Sequence, residues 1–185
     1  IDCCHLIKEY LTETKKMYSK LKEINQKPKV FGVYSADTLW TDPYRAKQML
    51  AYHLNSDIDL ASRNKAFIEK SIAWISSEFD LGAEKSVCDF GCAVGLYTTA
   101  FAKMGAKVTG IDFSENSLTY AKEVAEKEGL DISYIHQNYL SYESNEKYDL
   151  ITMIMCDFCV LSPKKRVQLL EKFHTLLNDN GAVLL

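Results

Sequence analysis

Long apolar runs are missing from this sequence: no stretch approaches the ~20 consecutive apolar residues that cross a bilayer. The start, Ile1-Asp2-Cys3-Cys4-His5, has neither the basic region nor the apolar stretch of a secretory signal, so the cytoplasm is the expected compartment and no membrane partner is expected. An excess of basic charge is missing too. A formal net charge of -3 and a pI near 5.8 give no footprint for neutralising a phosphate backbone, which sets nucleic acid aside as a partner. There is no internal repeat and no low-complexity tract. Six cysteines, Cys3, Cys4, Cys88, Cys92, Cys156 and Cys159, without a signal read as reduced thiols rather than a disulfide framework. Cys156-Asp157-Phe158-Cys159 has C-x-x-C spacing, but a second zinc ligand pair would have to come from Cys3-Cys4 or from scattered histidines, so no metal site is expected. Nothing in the composition sets the oligomeric state.

What remains is an ordinary globular composition. With 185 residues, 47% of them hydrophobic and 25% charged, the chain can bury one sizeable core and is neither disordered nor collagen-like. From Leu6 to Ile24 apolar residues recur every three or four positions, which predicts an amphipathic helix. Gln26-Lys27-Pro28-Lys29 breaks it, and Val30 to Leu39 reads as irregular. Asp42 followed by Pro43 is a helix start, predicting a helix from Pro43 to about Leu54. The apolar positions Ile58, Ala61, Phe67, Ile68, Ile72 and Ile75 predict a longer one ending near Glu78.

From Lys85 the pattern changes to short apolar strands alternating with helices, the mark of βαβ units and a parallel sheet. The strands fall at Ser86 to Phe90, Lys107 to Asp112, Ile132 to His136, Asp149 to Cys156 and Ala182 to Leu185. Helices fall near Leu96 to Met104, Glu115 to Glu128 and Pro163 to Leu177, with Ser114 and Ser162 placed as caps and Asn180-Gly181 closing the last. The expected division is a helical amino-terminal cap over 1–82 and an α/β core over 83–185, the boundary lying near Gly82.

The chemistry is concentrated after the first strand, in Val87-Cys88-Asp89-Phe90-Gly91-Cys92-Ala93-Val94-Gly95. Glycines in a strand-to-helix turn let backbone approach a ligand and adopt positive φ, and the following helix offers free N–H groups. The G-x-G-x-x-G fingerprint of dinucleotide sites is not met: the glycines are four apart, and Asp89 precedes the loop, where a pyrophosphate would be repelled. A second strand, Val108 to Ile111, ends in Asp112 about twenty residues later, at the spacing at which an acid meets ribose hydroxyls. Phe113 beside it reads either as a flank to an adenine or, as strand-end aromatics more often are, as part of the core.

This set resembles the class I S-adenosylmethionine-dependent methyltransferases over Lys85 to Leu185. The resemblance implies a Rossmann-like parallel sheet flanked by helices, with S-adenosyl-L-methionine as cofactor. It implies that Asp89, Gly91, Cys92, Ala93 and Gly95 meet the methionine portion and Asp112 and Phe113 the ribose side. After the third strand, His136-Gln137-Asn138-Tyr139 matches the position where the family commonly has an acid for the adenine amino group. Here it is Asn138, a departure, although an amide oxygen can accept the same hydrogen bond. Cys156 and Asp157 open at the carboxyl edge of the fourth strand, where ligands of open α/β sheets bind. The family architecture would add two more strands after Leu185; with Ile1 at one end and an apolar run at the other, both ends read as cut.

In the family, helical extensions such as the first 82 residues shape the acceptor pocket, and Tyr34, Trp40, Arg63 and Tyr97 are the substrate-binding candidates. In-line methyl transfer gains from positioning without a dedicated base. His53 and Asp157 are the candidates should one exist. The expected activity is methyl transfer to a small-molecule acceptor. The alternatives are a protein or RNA methyltransferase, or a non-catalytic S-adenosylmethionine-binding module.

Overall fold

The structure, a computed structural model, describes the backbone of residues 3–185 and the side chains of residues 11–36 and 38–185. Cys3 and Cys4, and Leu6, Ile7 and Tyr10 of the amphipathic stretch, have side chains outside the described residues. The chain divides into two compact units, one ending at Tyr34 and the other spanning Ser35–Leu185.

The first unit contains helix α1, Cys3–Ile24. Of its apolar stripe, Leu11, Met17, Tyr18, Leu21 and Ile24 are exposed.

The second unit is a five-stranded, wholly parallel sheet flanked by helices. Helices α2 (Ala36–Thr41), α3 (Pro43–Leu54) and α4 (Lys65–Glu78) come first, followed by β1 (Ser86–Phe90), α5 (Leu96–Lys103), β2 (Lys107–Asp112), α6 (Glu115–Glu128) and β3 (Ile132–His136). After these come β4 (Tyr148–Thr152), α7 (Asp157–Val160), α8 (Pro163–Leu176) and β5 (Leu177–Leu184). The spatial order is β3-β2-β1-β4-β5. The chain winds outward from β1 through β2 to β3, then crosses to the other side of β1, which makes the carboxyl edge between β1 and β4 a topological switch point.

Strand alternation explains the layering. Val87, Val108 and Leu150 pack with Ile75 of α4 and Phe101 of α5 in one apolar cluster. Phe90 meets Phe173 of α8 edge to face, ring centroids 4.8 Å apart, and Tyr142 at 5.8 Å. Such aromatic pairs add to the hydrophobic stabilisation of the core.

Helices α3 and α4, which precede Gly82, fall in the second unit, where α3 packs against α6 and α4 against α5. Helix α4 begins late, at Lys65, because Asn64 is its cap: its side chain accepts from Phe67 N at 3.0 Å, and Asp59 in turn accepts from Asn64 N at 2.7 Å. The stretch expected to be irregular up to Leu39 ends in α2. Strand β4 stops at Thr152 rather than Cys156, and Met155, at φ 80°, turns the chain into α7. Asn180-Gly181 does not close α8, which ends at Leu176; it lies in a bulge where pairing jumps from Tyr148–Leu177 to Leu150–Ala182.

Candidate active site

The loop between β1 and α5 is shaped by three residues at positive φ, Gly91 (83°), Ala93 (47°) and Gly95 (79°). Gly91 N and Cys92 N both donate to Ile111 O, at 2.8 and 3.1 Å, which clasps the loop to the end of β2. Asp112 completes the clasp. Its Oδ2 accepts from Ala93 N at 2.9 Å and its Oδ1 from Ser114 N at 2.7 Å. Ser114 occupies the cap position of α6 without a side-chain capping bond; its hydroxyl accepts from Ser117 instead.

Around this loop lies a cleft of about 790 Å³, counting the space open to solvent, at the carboxyl edge of the sheet. Asp89, Gly91, Cys92 and Ala93 line it from the first loop, Asp112 and Phe113 from β2, and Tyr139 and Asp157 from beyond β3 and β4. Trp40, His53, Arg63 and Tyr97 also line it.

The other named positions sit differently. A Cβ on Gly95 would meet the Tyr134 hydroxyl at 2.5 Å and Thr98 Oγ1 at 3.0 Å, so this glycine serves the packing of α5 rather than the cleft wall. Asn138 Oδ1 accepts from Leu140 N at 2.9 Å in a local turn, and its neighbour Tyr139 supplies the wall. Cys156 is exposed on an adjoining groove. Tyr34 belongs to the first unit.

Three carboxyl groups converge here. Burial pushes Asp89 up to about 7; Thr152, donating to its Oδ1 at 2.7 Å, works against the rise, and the carboxyls of Asp112 and Asp157 add to it. Asp157 is raised to about 7, again by burial and then by Asp112, while a hydrogen bond with Tyr139 opposes. Burial also raises Asp112, against the backbone donors at Ser114 and Ala93. Cys88 and Cys92 are buried free thiols pushed well up by burial. Among the described residues, no group of three or more His, Cys, Asp or Glu could hold a metal ion. No helix there is long and apolar enough to cross a membrane.

The opposite wall comes from α2, α3 and the loop before α4. His53 is buried, its Nδ1 lies 2.7 Å from Ser62 Oγ, and its ring stacks on Trp40 with centroids 5.5 Å apart. Its Nε2 has no hydrogen-bond partner, and burial pulls its pKa down to about 4, so the ring is neutral. Arg63 is exposed, with its guanidinium over the Phe67 ring at 5.4 Å. Lys172 of α8 reaches across to the loop after β3, donating to Leu140 O at 2.8 Å and Tyr142 O at 2.5 Å, and so holds Tyr139 in place.

Thr152, Ser117 and Met155 were not legible as site residues. The one available signal was a lone hydroxyl at Thr152 within the apolar run Leu150-Ile151-Thr152-Met153.

A strand-to-helix loop at the switch point, clasped by an acid at the end of the next strand, defines the class of molecule. Residues 87–181, just over half the chain, match the family model described as the methyltransferase domain. The chain belongs to this family, the class I S-adenosylmethionine-dependent methyltransferases. A protein named as a methyltransferase in Geobacillus sp. (strain WCH70) is 30% identical over 122 residues, 65% of this chain and 47% of the relative. The ubiquinone biosynthesis O-methyltransferase of Actinobacillus pleuropneumoniae serotype 7 (strain AP76) is 40% identical over 105 residues, 54% of this chain and 44% of the relative. The chain thus spans less than half the length of these relatives. Among solved structures, the plantazolicin methyltransferase BpumL, in complex with a monoazolic desmethylPZN analogue and SAH, superposes with a TM-score of 0.61 at 21% identity. That match covers 80% of this chain and 55% of the other.

Proposed function

We propose that the cleft binds S-adenosylmethionine and that a small-molecule acceptor is methylated there. The observation that carries this reading is the convergence of Asp89, Asp112 and Asp157 on a glycine-bearing loop at the switch point. Buried carboxyls repelling one another are stabilised by a cationic ligand and would reject a pyrophosphate. The residues present fit the cofactor. Gly91 leaves room for the Asp157 carboxyl, which a Cβ there would meet at 3.3 Å, and the lining is anionic where the cofactor is cationic.

Asp89 and Asp157 would face the cofactor's positive groups, with Gly91, Cys92 and Ala93 offering backbone close to its methionine portion. Asp112 retains lone pairs for the ribose hydroxyls beyond its backbone donors. Phe113 and Tyr139 would flank the adenine, with Asn138 acting through the turn that presents Tyr139. When bound, the cofactor supplies a methyl group on a positively charged sulfur to a nucleophile approaching in line. The chain's own work is to orient that nucleophile and exclude water, for which positioning alone supplies several kcal/mol, on the order of 7–11 in favourable cases. Of the two candidate bases, Asp157, with a pKa near neutrality, is the one suited to take a proton, whereas burial keeps His53 neutral and fits it to accept a hydrogen bond. A concave, largely apolar wall favours a small acceptor, and a relative named as an O-methyltransferase agrees.

Calorimetric titration with S-adenosylmethionine and, separately, with NAD tests the reading. Micromolar binding of the first and none of the second is expected; binding of NAD alone would overturn it.

A further inference from the structure

We propose that His53 is the acceptor-binding residue of this site, its Nε2 accepting a hydrogen bond from the hydroxyl of a flat aromatic acceptor. This rests on reading the cleft as a methyl-transfer site and names the acceptor class that the reading leaves open.

His53 is only 7% exposed and lines the cleft, yet its Nε2 has no partner. Buried polar atoms are almost always hydrogen-bonded, so an orphan in the wall of a binding cleft marks a contact that a ligand completes. Two neighbours set the ring's orientation. Trp40 stacks on its face, and Ser62 Oγ sits 2.7 Å from Nδ1. In the tautomer whose Nδ1 donates to Ser62 Oγ, Nε2, which no protein group partners, is left as the acceptor.

The chemistry of the partner follows. A neutral imidazole acceptor gains nothing from a carboxylate, which has no hydrogen to give. A cationic group is better served by the three carboxyls on the facing wall. A hydroxyl is the donor left. The surroundings give its body: Trp40, Tyr97, Ile154 and Met155 line the same cleft and suit a planar apolar ring. On the methyl-transfer reading, the cofactor's positive groups and ribose fall to Asp89, Asp157 and Asp112 on the facing wall, which leaves His53 to the acceptor.

The test uses Trp40 as its own reporter. The chain has two tryptophans, and Trp74, half-exposed on α4, can be replaced by phenylalanine to leave Trp40 alone. The Trp74→Phe protein, saturated with S-adenosylhomocysteine, is titrated with catechol and with 1,2-dimethoxybenzene, which keeps the ring but has no hydroxyl hydrogen. Catechol should quench Trp40 saturably and bind about tenfold tighter than the dimethyl ether, the factor that one hydrogen bond supplies. His53→Phe in the same background should abolish that preference while calorimetric affinity for S-adenosylhomocysteine stays within about twofold. His53→Leu, smaller and equally unable to accept a hydrogen bond, carries the same comparison if the phenylalanine variant does not fold. Equal affinity for the two probes, or no saturable quenching by catechol, overturns the inference. So does a His53 variant that loses S-adenosylhomocysteine binding, since His53 would then serve the cofactor, and in that case the cofactor reading survives. If the unsubstituted protein itself binds no S-adenosylhomocysteine, that reading falls and the inference falls with it.

Discussion

Gly91 and Gly95 share a loop and a positive φ, yet a side chain at each would meet different things. At Gly91 the obstacle is the Asp157 carboxyl, 3.3 Å from an added Cβ, in the cleft; at Gly95 it is the Tyr134 hydroxyl at 2.5 Å, behind the loop. Gly91→Val should therefore abolish S-adenosylmethionine binding in calorimetry, whereas Gly95→Ala should lower unfolding free energy by about 1–3 kcal/mol in a denaturant titration. A Gly91→Val protein that binds normally would remove the loop from the site. Asp112 joins both roles, because it accepts from Ala93 N and Ser114 N and also faces the cleft. Asp112→Ala should weaken S-adenosylmethionine binding at least about tenfold and lower stability by about 1.5–3 kcal/mol, the range for hydrogen bonds to a charged group. Unchanged affinity would count against the ribose assignment. Ala93 and Met155, left-handed without being glycine, also line the cleft, and strain of that kind persists where surrounding contacts over-determine it.

Among the helices, the caps decide which residues reach the cleft. Asp42 accepts from Arg45 N at 2.9 Å with Pro43 behind it, and Ser162 accepts from Lys165 N at 3.4 Å with Pro163 behind it; both starts are legible as dipeptides. Asn64 is not. The apolar periodicity of Ile58 and Ala61 continues into α4 and predicts helix, but Asp59 draws Asn64 N and its amide, and the segment stays a loop of turns and bends that carries Ser62 and Arg63. Such side-chain bonds compete with helix locally. Asn64→Ala should cost about 1 kcal/mol in denaturant unfolding. It should also weaken catechol binding by the protein saturated with S-adenosylhomocysteine, because the wall holding Ser62 against His53 loosens. A stability loss without any change in that binding would separate the loop from the acceptor site.

The molecule as a whole carries an acidic centre whose charge depends on pH. Asp89 and Asp157 titrate near 7 and Asp112 is raised, so above the ordinary carboxylate range the folded state holds more protons than the unfolded one, and stability falls as pH rises towards 7. His53 opposes this, since its pKa of about 4 means that the unfolded state holds the extra proton between there and 6.5. The carboxyls outnumber the imidazole. Thermal midpoints of the protein alone should fall between pH 5 and pH 8, and the increment from saturating S-adenosylmethionine should grow over the same range, because a cationic ligand draws the carboxyls into their ionised form. A midpoint that rises across that range would show that the cluster is not held as described.

Strand periodicity, the glycine loop and the acids ending β1 and β2 are local patterns, and from them the parallel sheet and its family could be read, together with the loop residues that line the cleft. Their positions needed no long-range information, because each lies within a few residues of a strand end. The acceptor side was a different matter. Asp157 faces Gly91 only because β4 crosses to the far side of β1 and stops at Thr152. His53 meets Ser62 and Trp40 only because α3 packs on α6 and the Asn64 cap keeps the intervening loop out of the helix. Local sequence determined what each segment is; only the tertiary packing decided that the orphaned Nε2 of His53 and three mutually repelling carboxyls would line one cleft, since burial, which sets both the missing partner and the raised acidity, is a property of the assembled fold.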